Sequence, residues 1–449
     1  MCPFGHRRSW PLPVPRIQPS LQSRRLPKAF TVLWAGQLVS NFGTQTSLYA
    51  LGLWLFQRDG QLASFTTVAI VILLAKLLAL PLLGRRLSGW PRRRVMLLAN
   101  GLGGTVTLLL AIALYRQAAP LSLILALLSV AAVAEATLVL CFASLIPQMV
   151  PIEQLGRANG LFASGDGLVM AAAPLLGAVL VGVGGLAGAL ALDGGTCLVA
   201  LACVGLVRWP RAALAPLQPR QTWVPGLRAG VSELWANPLT RPLLLLGTTV
   251  SFAMAACEIL FPAWVLTASG ATRLGVALLV GTGGFGLGVL GWRRVERRHW
   301  ASALLSALAF QSVILIGAGL VVFEGLPVIW FLALGLFSAG VPISGAALQS
   351  LWQAVTPVEE QPRLFAARFA MEWSARLAAF CSIALLVDRF LQPAMGWTFW
   401  PGWIRETMGS SAGRPMAIGL WAVGWLLLMV LVWQSEHIKR QGRLAATLF

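Results

Sequence analysis

The stretch SLIPQMVPIEQLGR at residues 144–157 recurs as SLWQAVTPVEEQPR at residues 350–363. Every matched position is separated from its counterpart by the same offset of 206 residues. An internal match of this length indicates that the chain contains two related halves. Beyond the shared serine–leucine pair, the matched positions are Pro151, Glu153, Arg157, Pro357, Glu359 and Arg363.

Apolar segments surround both copies of this motif. Hydrophobic residues make up 57% of the chain and charged residues 11%, whereas about 25% of a soluble globular domain is charged. A water-soluble globular protein is therefore excluded. Segments long enough to cross a bilayer, which takes about 20 helical residues, occur six times in each half. The sequence predicts an all-α integral membrane protein with 12 transmembrane helices in two pseudo-symmetric six-helix bundles. The segments lie at 30–56, 64–84, 95–115, 121–147, 158–182, 185–208, 241–268, 270–291, 301–323, 326–352, 363–388 and 415–434.

The same pattern divides the chain into regions. We predict a basic, disordered cytoplasmic tail at 1–28, because this segment lacks the apolar core of a signal peptide. The N-terminal bundle follows at 29–208 and the C-terminal bundle at 241–435, with a cytoplasmic tail at 436–449. Between the bundles lies a cytoplasmic linker at 209–240. Its end is predicted to form a short amphipathic helix with Leu227, Val231 and Trp235 on one side.

Basic residues predict the orientation of the chain. Of the 34 Lys and Arg residues, 25 fall in segments on the side of both termini and 6 in the opposite loops. Short loops rich in Lys and Arg stay in the cytoplasm, so both termini are predicted to be cytoplasmic in a multi-pass protein. The net charge of +19 sits in short blocks between apolar segments. This pattern favours the lipid bilayer as partner and argues against nucleic acid.

The chain carries few residues suited to catalysis or metal binding. The six cysteines form no CxxC pair, and the three histidines lie outside the apolar segments. No phosphate-binding loop is present. We therefore expect no metal, no cofactor and no enzyme activity, although a membrane-embedded enzyme and a non-transporting membrane sensor stay as less favoured alternatives.

Three segments resemble a known family. They are LWAGQLVSNFG at 33–43, IPQMVP at 146–151 and RANG at 157–160. They are similar to segments of the major facilitator superfamily, within it the branch of bacterial macrolide-efflux and enterobactin-export permeases. The resemblance extends over residues 28–435.

This resemblance implies a monomeric secondary transporter of the plasma (inner) membrane that works by alternating access. It also implies proton-coupled export of a small amphipathic organic molecule. Uptake by a proton-coupled permease of the same fold stays open, because export rests on the resemblance and not on composition.

Two motifs of the family are only partly matched. The basic loop between spans two and three keeps Gly84, Arg92, Arg93 and Arg94, but Ser88 and Gly89 replace its usual Asp–Arg pair. The Asp that makes the family's charge lock is therefore absent from this loop. The fifth span resembles the antiporter motif, in which small residues let helices of the two bundles approach each other; ordinary small-residue packing is the alternative. The matching residues are Gly160, Gly165, Gly167, Pro174 and Gly177.

Ionisable residues inside the spans are candidates for the transport site, because charge within a bilayer is costly. They are Lys76, Glu135, Asp166, Asp193, Glu258, Arg368, Glu372 and Arg376.

Glu135, near the middle of span four, is the favoured proton or substrate site, against a structural role, and Glu258 comes second. Lys76 is expected to snorkel or to pair with Asp166.

Span eleven carries Arg368, Glu372 and Arg376 at intervals of four residues, which places them on one helix face. Glu372 is expected to pair with both arginines in a structural ladder. The alternative is a cationic wall for an anionic substrate, or a gate with Glu135 or Asp166.

Overall fold

The structure, a computed structural model, describes residues 26–59, 62–116, 120–209, 223–269, 271–320, 327–391 and 414–447. Within these ranges all regular secondary structure is helical. Most of the predicted tail at 1–28, and residues 210–222 of the linker, lie outside them.

The long helices follow the apolar segments, because a helix satisfies its own backbone hydrogen bonds in a medium without water. They are α1 (Lys28–Asp59), α2 (Leu62–Gly89), α3 (Arg92–Tyr115), α4 (Leu121–Met149), α5 (Leu155–Leu206), α6 (Trp223–Ala236), α7 (Arg241–Ser269), α8 (Ala271–Trp292), α9 (Trp300–Leu320), α10 (Pro327–Val355), α11 (Gln361–Leu386) and α12 (Arg414–Thr447).

Within the described ranges, seven helices are long and apolar enough to cross a membrane. Two shorter apolar stretches, Ile70–Leu83 and Leu279–Trp292, lie within α2 and α8. The last helix, α12, continues to Thr447 and so includes much of the predicted tail at 436–449.

The predicted fifth and sixth spans form one element, α5, which is bent at Gly185. This residue has φ +63° and ψ −173°, a conformation that is open to glycine and strained for residues with a Cβ. The bend turns the chain back toward the side on which α5 began, so α5 contributes two antiparallel segments.

The two halves repeat the same packing. In the N-terminal half α1 packs on α5, α2 on α4, and α3 on α4 and α5. In the C-terminal half α7 packs on α11 and α12, α8 on α10, and α9 on α10 and α12. The halves meet through α2 with α11, α5 with α8 and α10, and α4 with α11. The linker helix α6 packs on α2, α7 and α11.

The loops after α2, α4, α8 and α10 lie at one end of the molecule, which we call the motif end. One large hydrophobic core joins the two halves at this end. It contains buried side chains of both halves, among them Phe30, Met96, Ile146, Trp352 and Phe365.

Several tryptophans near predicted span ends belong to the interior and not to an aromatic belt at the membrane surface. Trp292, Trp300 and Trp352 are buried in the motif-end core, and Trp264 is buried in a second core of the C-terminal half. Tryptophans near span ends commonly anchor helices in the membrane interface, and their positions in the sequence predict that role here. The prediction is wrong for these four, because each fills space between packed helices.

Candidate functional site

A cavity of about 720 Å³ lies between the halves, in the part of the chain that the structure describes. Its wall is formed mainly by α1 to α5 of the N-terminal half, and α10 and α11 complete it. Helices α1 and α5 bring polar side chains to the cavity because each presents a stripe of Asn, Gln, Ser, Thr or Asp within an apolar sequence. The wall therefore combines a large apolar area with a few polar groups, as small-molecule sites do.

The first polar group is an ion pair between two sequence-predicted residues. Lys76 Nζ on α2 lies 2.8 Å from Glu135 Oε2 on α4, and both residues line the cavity. The side chains are 17% and 25% exposed, respectively. The expectation that Lys76 pairs with Asp166 is therefore wrong: the contact between α2 and α4 gives it Glu135 instead.

Two other carboxylates of this wall have uncharged partners. Asp166 is exposed and accepts a hydrogen bond from Asn41 Nδ2 at 3.2 Å. Asp193 is buried; its Oδ1 accepts a bond from Thr44 Oγ1 at 2.9 Å and its Oδ2 one from Ser47 Oγ at 3.0 Å. Both carboxylates thus lie in a largely apolar wall with neutral hydrogen-bond donors as their neighbours.

The charges of the C-terminal half are paired differently from the expected ladder. Among the described residues, Glu372 forms an ion pair with Arg368 only, at 2.7 Å, and Arg376 forms one with Glu258 of α7. Arg368 also donates to Gln349 Oε1 at 2.8 Å. The ladder is wrong because α7 and α11 pack together, which brings Glu258 to Arg376.

Aromatic rings cover the apolar part of the cavity. On α11, Phe369 and Trp373 are stacked with ring centroids 5.6 Å apart and an interplanar angle of 15°. In the N-terminal half, the rings of Phe162 on α5 and Phe142 on α4 have centroids 5.2 Å apart. All four residues line the cavity. Such flat surfaces favour a ligand with an apolar or aromatic body.

Hydrogen bonds close the motif end between the halves. Asn159 Nδ2 of α5 donates to Ser350 Oγ at 2.9 Å and to Gln353 Oε1 at 2.7 Å, both on α10. Gln353 Nε2 donates in turn to the backbone oxygen of Ala143 at 3.0 Å. All four residues are buried. We call Asn159, Ser350, Gln353 and the Ala143 carbonyl the neutral latch, because it joins the halves without a charged group.

The glycines of the predicted span-five motif fall into two groups. A Cβ at Gly160 would collide with Trp292, and one at Gly167 would collide with Phe285, both on α8 of the other half. Gly165 and Gly177 instead lie against α1 of their own half. Pro174 lies in the same helix, α5.

The loop motifs lie at the motif end. Gly84 is in the last part of α2. Of the three arginines at the start of α3, Arg92 is buried and Arg94 is exposed. Arg93 Nη2 donates a hydrogen bond to the backbone oxygen of Gly205 at 3.1 Å. Arg363 bonds Glu360 at 3.0 Å and Glu233 of α6 at 2.6 Å, which ties the linker helix to α11. The remaining motif residues, all at least partly exposed, are Pro151, Glu153, Arg157, Pro357 and Glu359.

Sequence reasoning missed several residues of this site. Asn41, Thr44 and Ser47 on α1, and Asn159 and Gln353 in the neutral latch, were not among the candidates. A signal was present, because uncharged polar residues recur at three- and four-residue spacing within apolar segments. Neutral polar residues are common in transmembrane helices, so this spacing is weaker evidence for a functional site than a charged residue in an apolar segment.

Comparison with known proteins agrees with this geometry. The sequence profile of the Major Facilitator Superfamily matches residues 33–380. Macrolide efflux protein A of Streptococcus pyogenes is 23% identical over 233 residues, which cover 52% of this chain and 58% of that protein. The chain thus spans little more than half the length of that relative.

Two further proteins extend the comparison. The multidrug efflux pump Tap of Mycobacterium tuberculosis (strain ATCC 25618 / H37Rv) is 26% identical over 306 residues, 64% of this chain and 71% of the pump. The crystal structure of a bacterial homologue of the iron transporter ferroportin in an outward-facing state superimposes with a TM-score of 0.71. It is 17% identical and covers 91% of this chain and 100% of that one, so it shows that the fold is shared.

Proposed function

The chain belongs to the major facilitator superfamily, and on this premise we propose that it exports a small amphipathic organic molecule in exchange for protons. The observation that carries the proposal is the cavity between the halves, which has an ion pair in its wall and a closed motif end. Efflux by macrolide and multidrug relatives supports the direction of transport.

We propose that twelve helical segments cross the membrane, with α5 supplying two of them and α6 lying at the surface. The motif end carries the loops rich in Arg, so we assign it and both termini to the cytoplasm. In this assignment the neutral latch closes the cytoplasmic side. The structure then represents the state in which the cavity faces away from the cytoplasm.

The ion pair between Lys76 and Glu135 supports proton coupling. A proton on Glu135 removes the negative charge that attracts Lys76, so protonation and pairing exclude each other. If the two access states differ in how well they accommodate the pair, proton binding shifts the balance between them. Coupling to substrate follows when the substrate binds the same wall.

Transport into proteoliposomes tests this function. Purified protein is reconstituted, a labelled macrolide is added outside, and a pH gradient is imposed. An antiporter accumulates the macrolide in an acidic lumen, and collapse of the gradient with nigericin and potassium releases it. Accumulation in an alkaline lumen would instead identify a proton-coupled uptake permease. Protein-free vesicles serve as the control.

A flux that collapse of the gradient leaves unchanged would contradict proton coupling. Absence of any protein-dependent flux, tested over a panel of macrolides and other amphipathic drugs, would contradict export of this class of molecule.

A further inference from the structure

The charges of the described cavity wall do not cancel. Its cations are Lys76, which is paired with Glu135, and Arg376, which is paired with Glu258. Behind the wall, Arg368 is paired with Glu372. Each of these cations is therefore neutralised by a carboxylate, and none of them is left to hold an anionic ligand. The wall also contains Asp166 and Asp193, which have no cationic partner in the described part of the chain.

Of these two carboxylates, Asp166 is the one a ligand can reach. Asp193 is 4% exposed, and hydroxyl groups of Thr44 and Ser47 occupy both of its oxygens. Asp166 is exposed, and among the described residues it takes a single hydrogen bond, from Asn41. An amide orients a carboxylate without neutralising it, so Asp166 presents a negative charge to the cavity.

The internal repeat shows what is particular about Asp166. An offset of 206 residues places Glu372 at the corresponding position of the C-terminal half. Glu372 is buried against Gly247, the counterpart of Asn41, and Arg368 neutralises it. The counterpart of Arg368 in the N-terminal half is Phe162, which lines the cavity and has no charge. Glu372 is thus neutralised by Arg368 of its own half, whereas Asp166 lines the cavity without a cationic partner among the described residues.

We propose that Asp166, oriented by Asn41, selects monovalent organic cations, whose apolar body lies against Phe369 and Trp373. This inference rests on the proposed function and names its substrate class. Trp373, Phe369 and Asp166 line the same cavity, so one amphipathic cation can contact both surfaces. A ring face also attracts a cation, which adds to the selectivity.

Binding to the purified protein in detergent tests the inference without a gradient or a membrane. The probe is labelled tetraphenylphosphonium, and tetraphenylborate serves as an anion of nearly the same shape. We expect the cation to bind to the wild-type protein and the anion not to displace it. Asp166→Asn should weaken binding of the cation about tenfold, equivalent to about 1.4 kcal/mol, whereas Asp166→Glu should retain most of it. Glu436→Gln, which removes a carboxylate from the far end of α12, is the matched control.

Equal competition by tetraphenylborate would overturn the inference, and so would unchanged binding by Asp166→Asn. The comparison of the two ions uses the wild-type protein, so it decides the question even if a variant fails to fold. Failure of the proposed function and failure of this inference give different results. Cation binding without transport would contradict export alone, and macrolide transport without charge selectivity would contradict the role of Asp166 alone.

Discussion

Lys76 Nζ lies 2.8 Å from Glu135 Oε2, across the contact between α2 and α4. The pair lines the cavity and is largely shielded, so neither charge is fully hydrated. A proton on Glu135 would remove the negative charge that Lys76 contacts and leave Lys76 without its partner. In our account this structure is therefore the deprotonated state of the carrier.

Removal of the cation should uncouple the transporter. In Lys76→Met, Glu135 loses the cation with which it pairs, so protonation no longer competes with pairing, and we expect macrolide accumulation in an acidic lumen to be lost. The melting temperature should fall, because a shielded carboxylate loses its partner. Lys76→Met combined with Glu135→Gln should regain the melting temperature but not the accumulation. Gradient-driven accumulation by Lys76→Met at the wild-type rate would contradict this prediction.

The neutral latch should set the balance between the two access states. Asn159→Ala removes hydrogen bonds to Ser350 and Gln353, each worth about 0.5–1.5 kcal/mol, so the state with an open motif end should gain about tenfold in population. Spin labels at Arg94 and Arg298, both exposed at the motif end, report the opening as a longer distance.

Ser312→Ala is the control for the latch, because Ser312 bonds only to Leu308 of its own helix among the described residues. The assignment of the latch fails if Asn159→Ala and Ser312→Ala give the same distance distribution.

Close approach of α5 and α8 should be needed for closure of the motif end. A Cβ at Gly167 would overlap the ring of Phe285 in the other half. Overpacking of this kind costs about 1–3 kcal/mol, so Gly167→Ala should favour the open motif end and slow transport. Gly182→Ala, whose Cβ would meet nothing within 4 Å, should transport at the wild-type rate. Equal transport rates for the two variants would show that this contact does not limit closure.

The bend in α5 should require glycine at position 185 because of its backbone conformation and not because of contacts with neighbouring residues. Its φ of +63° strains any residue with a Cβ, whereas a Cβ there would meet no neighbour within 4 Å. Gly185→Ala should therefore lower the free energy of unfolding by about 1–3 kcal/mol. Gly184→Ala, also without a neighbour within 4 Å, should change it little. Thermal unfolding in detergent compares the two, and equal stability would contradict the strain.

The sequence predicted much of the helical fold because hydropathy and the duplicated motif depend on residue type and spacing. It also singled out ionisable residues, since charge is rare in an apolar segment. Of these candidates, Lys76, Glu135, Asp166, Asp193 and Arg376 line the cavity, whereas Glu258, Arg368 and Glu372 are not among its described lining residues. The sequence did not predict their partners. Lys76 and Asp166 have similar depth along their helices, but depth does not tell which helices are neighbours, and α2 packs on α4.

The same limit explains the other differences. Spacing of four residues allows Glu372 to bond Arg376, but the approach of α7 supplies Glu258 instead. Trp292 near a span end suggests a membrane anchor, whereas its Nε1 donates to the Gly156 oxygen of the other half at 2.7 Å. Each case is decided by packing between helices, which a single sequence does not encode in its local pattern.

The most direct test of the account is macrolide transport by Glu135→Gln in proteoliposomes. Glutamine keeps the size and the hydrogen-bonding head of the side chain but cannot release or accept the coupling proton. We predict that the variant loses accumulation driven by a pH gradient, while exchange of labelled for unlabelled macrolide at equal pH continues. Accumulation at the wild-type level by Glu135→Gln would contradict the account and would remove this carboxylate from the coupling mechanism.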